Sequence, residues 1–543
     1  MDSEQGTRSG DRRAEAIRLL LMAQSNESLA ALRTADSALT AVETTAPRGV
    51  VDDGWRAALH YVRGVALHSQ GNHDAALEAG RSVLRAAESC GDAAWSAVGR
   101  AFQVLQATLR AESDVDSAAD DVRLQELARA EADIPGSEAE PFAVVTAHTA
   151  VAACYLHLRL YELAEPHLLS AAELSAAHPP LMQVTAVIAQ VNLAYLHLGW
   201  GLELRRVGLD AAAHHSAAAR RHAAAAATMD SPEEAAAYRG RAALLAACAD
   251  SDSAEPHAVI AAIRAGLDDV TALGQRGDTA MAWLFEARAL FRAGDLSAAL
   301  EAARRACTER SCHSIGILAA AAFHTRADLL VLAEPAERTD ILAYGDYLAQ
   351  ALWSHRLRAL HLARSMQVFE RLRRERDSIH ALAYTDALTG VGNRHAFNTW
   401  VASRAAGVED EPICLLMVDV DELKAINDMG GHAAGDLILR SIATVLRAQA
   451  RPGDLVARVG GDEFVVCAEL PDSAGAGLAR RVVDAVRTAL GDTASVSVGV
   501  ACGPASGAAS TLLLQADEAM YGAKRDGGGR VRRSLIDMAL RSG

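Results

Sequence analysis

Small apolar residues, chiefly alanine, recur at helical spacing from about residue 11 to residue 340. That spacing predicts a run of packed helices. The run resembles itself at intervals. In residues 61–84, Gly64 and Ala76 stand twelve apart on either side of a Gly71-Asn72 turn. In residues 283–306 the same layout returns as Trp283, Ala287, Gly294-Asp295, Ala299 and Ala306. A third stretch keeps Ala152, Tyr155, Ala164 and Ala171 without the glycine turn, and Tyr195 follows Tyr155 by forty residues. Residues 346–383 contain no proline and continue helical, with Leu352, His355, Ala359, Leu362, Met366 and Phe369 at 3-4 spacing. The stripe then drifts to Leu372, Arg376 and Ile379. His and Arg on such a seam make a weak coiled coil, and a packed terminal helix of the preceding region explains the same spacing. From Tyr384 the period changes. Ile413–Asp421 is a short apolar run that ends in two carboxylates, as a buried strand would. LVARV and EFVVCAEL flank Gly460-Gly461-Asp462 as the arms of a hairpin, and Ser495–Gly503 reads as a third strand.

Composition narrows the classes. Apolar residues make up 51% of the 543, but aromatic residues only 4%. A core so poor in large side chains favours closely stacked helices and argues against an all-β sandwich. The length suits three or four domains of about 150 residues. The net charge of −16 excludes nonspecific nucleic-acid binding through bulk charge. Eight cysteines without a C-x-x-C pair exclude a zinc ribbon and a disulfide scaffold, and Cys307 and Cys312 read as small helix residues. The polar N-terminus carries no apolar signal core, and no apolar run is long enough to span a bilayer. A cytoplasmic chain without membrane insertion is expected. His214, His215 and His222 read as solvated or interhelical histidines rather than a metal site. Arg371, Arg373, Arg374 and Arg376 read as a solvated helix face.

The spacing of residues 61–84 and 283–306 resembles that of tetratricopeptide repeats, in which small residues let paired helices approach closely. The resemblance implies an all-α superhelix over 11–345 whose concave surface takes up an unidentified protein or peptide. An irregular α-solenoid of no named family would serve the same end. A helical linker over 346–383, a possible coiled coil, then leads to an α/β domain over 384–533.

In that α/β layout Asp419 at a strand end and Asp462 at a neighbouring turn can converge. Two hard oxygen ligands with open positions suit Mg²⁺ carrying a nucleoside triphosphate. Five ordered blocks then carry a second resemblance. They are Asp386-x-Leu388-Thr389-Gly390-x-x-Asn393-Arg394, then Asp419-x-Asp421-x-x-Lys424-x-x-Asn427-Asp428, then Gly431-His432-x-x-Gly435-Asp436, then Arg458–Phe464 (RVGGDEF), and Asp517-x-x-Met520-Tyr521-x-x-Lys524. Together they resemble the GGDEF diguanylate cyclases, of nucleotidyl-cyclase-like fold, through nearly all of residues 384–533. The resemblance implies that two GTP molecules condense to cyclic di-GMP and pyrophosphate, each 3′-hydroxyl attacking the other's α-phosphate. It implies Mg²⁺ or Mn²⁺ on Asp419, Asp462 and the Val420 carbonyl, and charge compensation by Lys424. Deprotonation of the hydroxyl is left open between Asp462 and Glu463. Asn427 and Asp436 would read guanine, Gly460 and Gly461 would let the backbone approach the nucleotide, and Lys524 would bind substrate. Arg451 and Asp454 match the family's R-x-x-D site, which binds cyclic di-GMP as inhibitor. Two-fold product symmetry implies a homodimer. One departure stands out: Gly528 replaces an arginine that contacts triphosphate, with Arg525 and Arg530 as the nearby candidates to replace it. Leu423 stands where an aromatic residue is common. A catalytically weak domain that binds cyclic di-GMP and signals through the helical region is the alternative.

Overall fold

The computed structural model describes residues 2–534 apart from 26, 46–49, 111–116, 135–139, 180–181, 230–234, 273–277, 310–315, 334–338, 406–411 and 505–508. Cys312 lies outside the described residues. The chain divides into two compact units, Met1–Arg371 and Leu372–Gly543.

The first unit is helical throughout its described residues. It begins with α1 (Asp2–Ala23), α2 (Ser28–Thr45), α3 (Val50–Ser69), α4 (His73–Cys90) and α5 (Ala93–Arg110). There follow α6 (Ser117–Asp133), α7 (Pro141–His157), α8 (Tyr161–Ala176), α9 (Gln183–Arg206) and α10 (Ala212–Thr228). The series ends with α11 (Ala236–Ala249), α12 (Pro256–Ala272), α13 (Thr279–Arg292), α14 (Leu296–Thr308), α15 (Gly316–Ala333) and α16 (Thr339–Tyr384). The repeated turns explain themselves. Asn72 and Asp295 accept from the backbone N–H of Ala75 and Ala298, capping α4 and α14. Gly71 and Gly294 reverse the chain before those caps with φ of 74° and 84°. The α7–α8 turn has the same left-handed step, but Arg159 takes it at φ 60°. The small residues are where helices touch: a Cβ on Gly64 would lie 2.7 Å from the Phe102 ring. Ala76, Ala164, Ala171, Ala287, Ala299 and Ala306 are fully buried.

The long helix α16 changes character along its length. Ala359, Leu362 and Met366 pack against the core of the first unit beside buried Leu360 and Ala363. Buried Arg356 donates to the Arg159 carbonyl at 2.6 Å and pairs with Glu162. Gln367 donates to Glu131 at 2.6 Å. From Arg371 to Ala383 every residue is exposed, and Leu372, Ile379 and Leu382 are among them. The middle of the stripe therefore behaves as a packed helix, while Leu352, His355 and Phe369 are exposed and the arginine face is solvated.

The histidines are interhelical. His197 on α9 and His215 on α10 are buried with Nδ1 atoms 3.0 Å apart, and His222 meets Gln190 at 2.8 Å. Burial pushes the His197 and His215 pKa values down to about 3 and about 4, so the pair is neutral and one ring donates to the other. Among the described residues no three His, Cys, Asp or Glu side chains group to hold a metal, and no helix is long and apolar enough to cross a membrane.

In the second unit, β1 (Pro412–Val420), β2 (Leu455–Arg458), β3 (Glu463–Glu469), β4 (Val496–Pro504) and β5 (Val531–Arg533) form one sheet in the order β2-β3-β1-β4-β5. All neighbours are antiparallel except β4 and β5. Helices α17 (Arg394–Ala405), α18 (Leu423–Gly430), α19 (His432–Gln449), α20 (Asp472–Leu490) and α21 (Ala509–Arg525) cover it. Central β1 is buried on both faces, which is why it reads as a continuous apolar run. Its even-numbered residues, Cys414 to Val420, join a core with α19 and α20. Its odd-numbered residues, Ile413 to Met417, join one with α17 and α21. Cys414 of β1 and Cys502 of β4 face each other in register and form a disulfide. The cysteine spacing did not foresee this bridge, because the partners are 88 residues apart and meet only once the strands pair.

Candidate active site

β1 aims Asp419 at the face covered by α21. The register sets Asp419 opposite Glu463, at the start of β3. The hairpin between β2 and β3 folds back so that Val420 N–H donates to the Asp462 carbonyl at 3.1 Å. Asp419 is buried, and its Oδ1 has no hydrogen-bond partner of good geometry. Its neighbour is the Lys524 ammonium of α21, 2.5 Å from Oδ1. Burial pushes the Asp419 carboxyl up, Lys524 pulls it back, and Asp462 and Glu463 add to the rise, leaving the pKa at about 6. Lys524 responds in kind: burial works against its charge, but Asp419, Asp462 and Asp421 outweigh it and raise its pKa. A buried carboxylate countered by a single ammonium and crowded by two further carboxylates fits a divalent cation. Asp419 and Asp462, with the Val420 carbonyl, are the groups that would hold it.

The turn of the hairpin is held from outside. Val459 N–H donates to the Glu463 carbonyl at 2.9 Å. A Cβ on Gly460 would collide with the Glu463 carboxylate, whereas one on Gly461 would meet nothing. Arg458 donates to the Gly461 carbonyl at 2.6 Å and reaches Asp386 at 3.2 Å. Burial opposes ionisation of Asp386, but hydrogen bonds from the Thr389 hydroxyl and N–H and from Arg458 prevail and hold its pKa down. The opening motif thus braces the GGDEF turn through one arginine, a role the sequence alone did not reveal.

Asp421 also has a structural role. It accepts from the hydroxyls of Ser495 and Ser497, each at 2.6 Å, and from Gly529 N–H at 2.9 Å. It is a bracket between β1, β4 and the last turn. Gly528, in that turn, has φ 71°, and a Cβ there would lie 3.3 Å from the Asp421 carboxylate. Arg530 donates to the Gly528 carbonyl at 3.1 Å, and Arg525 lines a separate groove with Tyr521, Asp526 and Arg532. Leu423 is buried in the β1 core.

Asn427 on α18 has a buried Oδ1 with no hydrogen-bond partner. It lies against Gly435 of α19, where a Cβ would overlap that oxygen, and half-buried Asp436 follows directly. Lys424 is exposed on α18. Arg451 and Asp454 form a turn of their own ahead of β2. Arg451 N–H donates to the Asp454 carboxylate at 2.8 Å, Asp454 N–H returns to the Arg451 carbonyl at 3.0 Å, and the arginine is exposed.

Residues 383–530 match the family described as diguanylate cyclase, GGDEF domain. This part of the chain is a GGDEF domain. It is 41% identical over 175 residues to the diguanylate cyclase TpbB of Pseudomonas aeruginosa, a match covering 30% of this chain and 40% of that one. An uncharacterized protein of Mycobacterium tuberculosis is 41% identical over 167 residues, 29% of this chain and 27% of its own. The chain therefore spans well under half the length of either relative. Among solved structures, the coiled coil and GGDEF domain of DgcB from Caulobacter crescentus, in complex with c-di-GMP, is 30% identical. It covers 32% of this chain and 97% of that one, with a TM-score of 0.30.

Proposed function

We propose that the protein is a diguanylate cyclase that condenses two GTP into cyclic di-GMP and pyrophosphate. The observation that carries this reading is the buried Asp419, crowded by Asp462 and Glu463 and countered by Lys524. A bound Mg²⁺ or Mn²⁺ would supply charge neutralisation of the triphosphate. The protein's own groups do the rest. Asn427, with its orphaned oxygen, and Asp436 take the guanine edge. Lys424 and Lys524 balance phosphate charge. Glu463, packed under Gly460, or Asp462 accepts the proton of the 3′-hydroxyl. Product inhibits at the Arg451–Asp454 turn, where an exposed guanidinium is free to meet a guanine edge or phosphate.

The first unit is read as a tetratricopeptide-like superhelix that receives a protein or peptide. The turns at Gly71, Arg159 and Gly294 and the buried alanines support it. The exposed Leu372, Ile379 and Leu382 on α16 support pairing of two copies as a homodimer.

Pure protein incubated with GTP and Mg²⁺ should yield cyclic di-GMP, and Asp462→Ala should abolish the yield without unfolding the chain. Product formed by the variant at the wild-type rate would defeat the metal assignment. The glycine at 528 favours one rival, a weak domain that binds cyclic di-GMP and signals through the helical unit. Tight cyclic di-GMP binding with no turnover would select it.

A further inference from the structure

Helices α1 and α3 and the N-terminal ends of α5 and α7 line an open cavity of about 200 Å³ in the first unit. Its apolar walls are Trp55, Trp95 and Phe142. Trp95 and Phe142 meet edge to face with centroids 5.9 Å apart, and Tyr61 backs Trp95 at 6.1 Å, so these rings are fixed. Arg12, Arg13, Asp92 and Glu140 supply the charge.

The two carboxylates are already committed to helix ends. Asp92 accepts from Trp95 N–H at 3.0 Å. Glu140 accepts from the N–H groups of Phe142 and Ala143, at 3.2 and 2.7 Å, and from Arg13 Nε at 2.8 Å. A guanidinium carries five N–H donors, and that ion pair engages Arg13 through Nε. The remaining Arg13 donors are what the cavity offers to an anionic head group.

Gly54 is the second observation. It lines the cavity from within α3, although glycine is the poorest helix former after proline. Neither of the usual reasons applies: its φ is not left-handed, and a Cβ there would meet nothing within 4 Å. What the missing side chain provides is the space itself.

We propose that this cavity binds a small planar aromatic carboxylate. The ring would lie among Trp55, Trp95 and Phe142, and the carboxylate would take the Arg13 guanidinium. Every residue involved belongs to the first unit, so the proposal stands or falls independently of the cyclase reading.

Calorimetric titration of the full chain with phenylacetate tests it, with phenylacetamide and benzyltrimethylammonium as neutral and cationic counterparts. Phenylacetate should bind saturably, at least tenfold tighter than either counterpart. Gly54→Leu, which fills the space, should lose that binding while its thermal midpoint stays level or rises. Arg13→Gln should weaken phenylacetate at least tenfold and leave phenylacetamide unchanged, and it decides the matter alone if Gly54→Leu does not fold. No saturable binding at millimolar phenylacetate, preference for the amide or the cation, or full binding by a folded Gly54→Leu would each overturn the site.

Discussion

Asp419 carries its pKa of about 6 in a place where the same carboxylate must be ionised to hold a cation. The folded chain holds the proton better than the unfolded one, so above about pH 6 the charge on Asp419 works against folding. A cation relieves that cost only where the carboxylate is ionised. Mg²⁺ should therefore raise the melting temperature by a few degrees at about pH 7.5, and the rise should fade as pH falls through about 6. Scanning calorimetry at the two pH values checks this; an equal rise at both would remove Asp419 from the metal site. Gly435 offers a second residue-scale test. A methyl group there overlaps Asn427 Oδ1, the end of a short side chain, so the fold yields cheaply while the base-reading amide is displaced. Gly435→Ala should leave stability within about 1 kcal/mol and weaken GTP by about 1–3 kcal/mol, the usual loss for an unpaired buried partner. An unchanged KM for GTP would clear Asn427 of base reading. The carboxylates at the strand end and hairpin turn were legible because hard ligands there interrupt apolar text. The brackets around them were not. Asp421 meets Ser495 and Ser497 across 74 and 76 residues, and no local pattern signals such a partnership.

At the scale of elements, the turn between α7 and α8 shows two effects opposed. Arg159 holds a left-handed conformation that glycine would adopt without strain, worth about 1 kcal/mol. Its guanidinium, however, pairs with Glu203, which is 2% exposed. Removing the partner of a buried charge costs about 3–5 kcal/mol, so the ion pair outweighs the strain. Arg159→Gly should accordingly destabilise the chain by about 2–4 kcal/mol in denaturant unfolding, and a stabilised variant would contradict that ranking. Two other helix pairs were readable from the Gly-Asn or Gly-Asp at their turns, whereas this one was readable only from its small packing positions, because Arg159 stands in the left-handed step that glycine takes elsewhere. The strand β5 escaped for a related reason. Its three residues include Arg532 and Arg533, and it owes its existence to parallel pairing with β4 rather than to its own composition.

For the whole molecule, the division between units falls inside α16, and packing explains only the part of the pattern from Ala359 to Met366. In the proposed homodimer, the exposed continuation through Leu372 and Ile379 would serve as a seam, and its phase would set how two GTP molecules meet. Seven residues inserted after Ile379 should preserve regulated cyclic di-GMP synthesis, whereas four should suppress or unleash it. Identical behaviour of both insertions would reduce the helix to a tether. The sequence showed three segments here because periodicity reports local geometry; it could not show that one helix serves two units, since that depends on what packs against it.

A junction made of helix also limits how such a protein can be reassembled in evolution. Each residue gained or lost in α16 turns everything beyond it by about 100°, and seven return it to within about 20° of its former direction. If that phase sets the pairing as proposed, exchanging the first unit for another module by recombination would succeed only at break points that conserve it. Length differences among functional descendants should therefore cluster at multiples of seven, where a loop junction would have left them evenly spread.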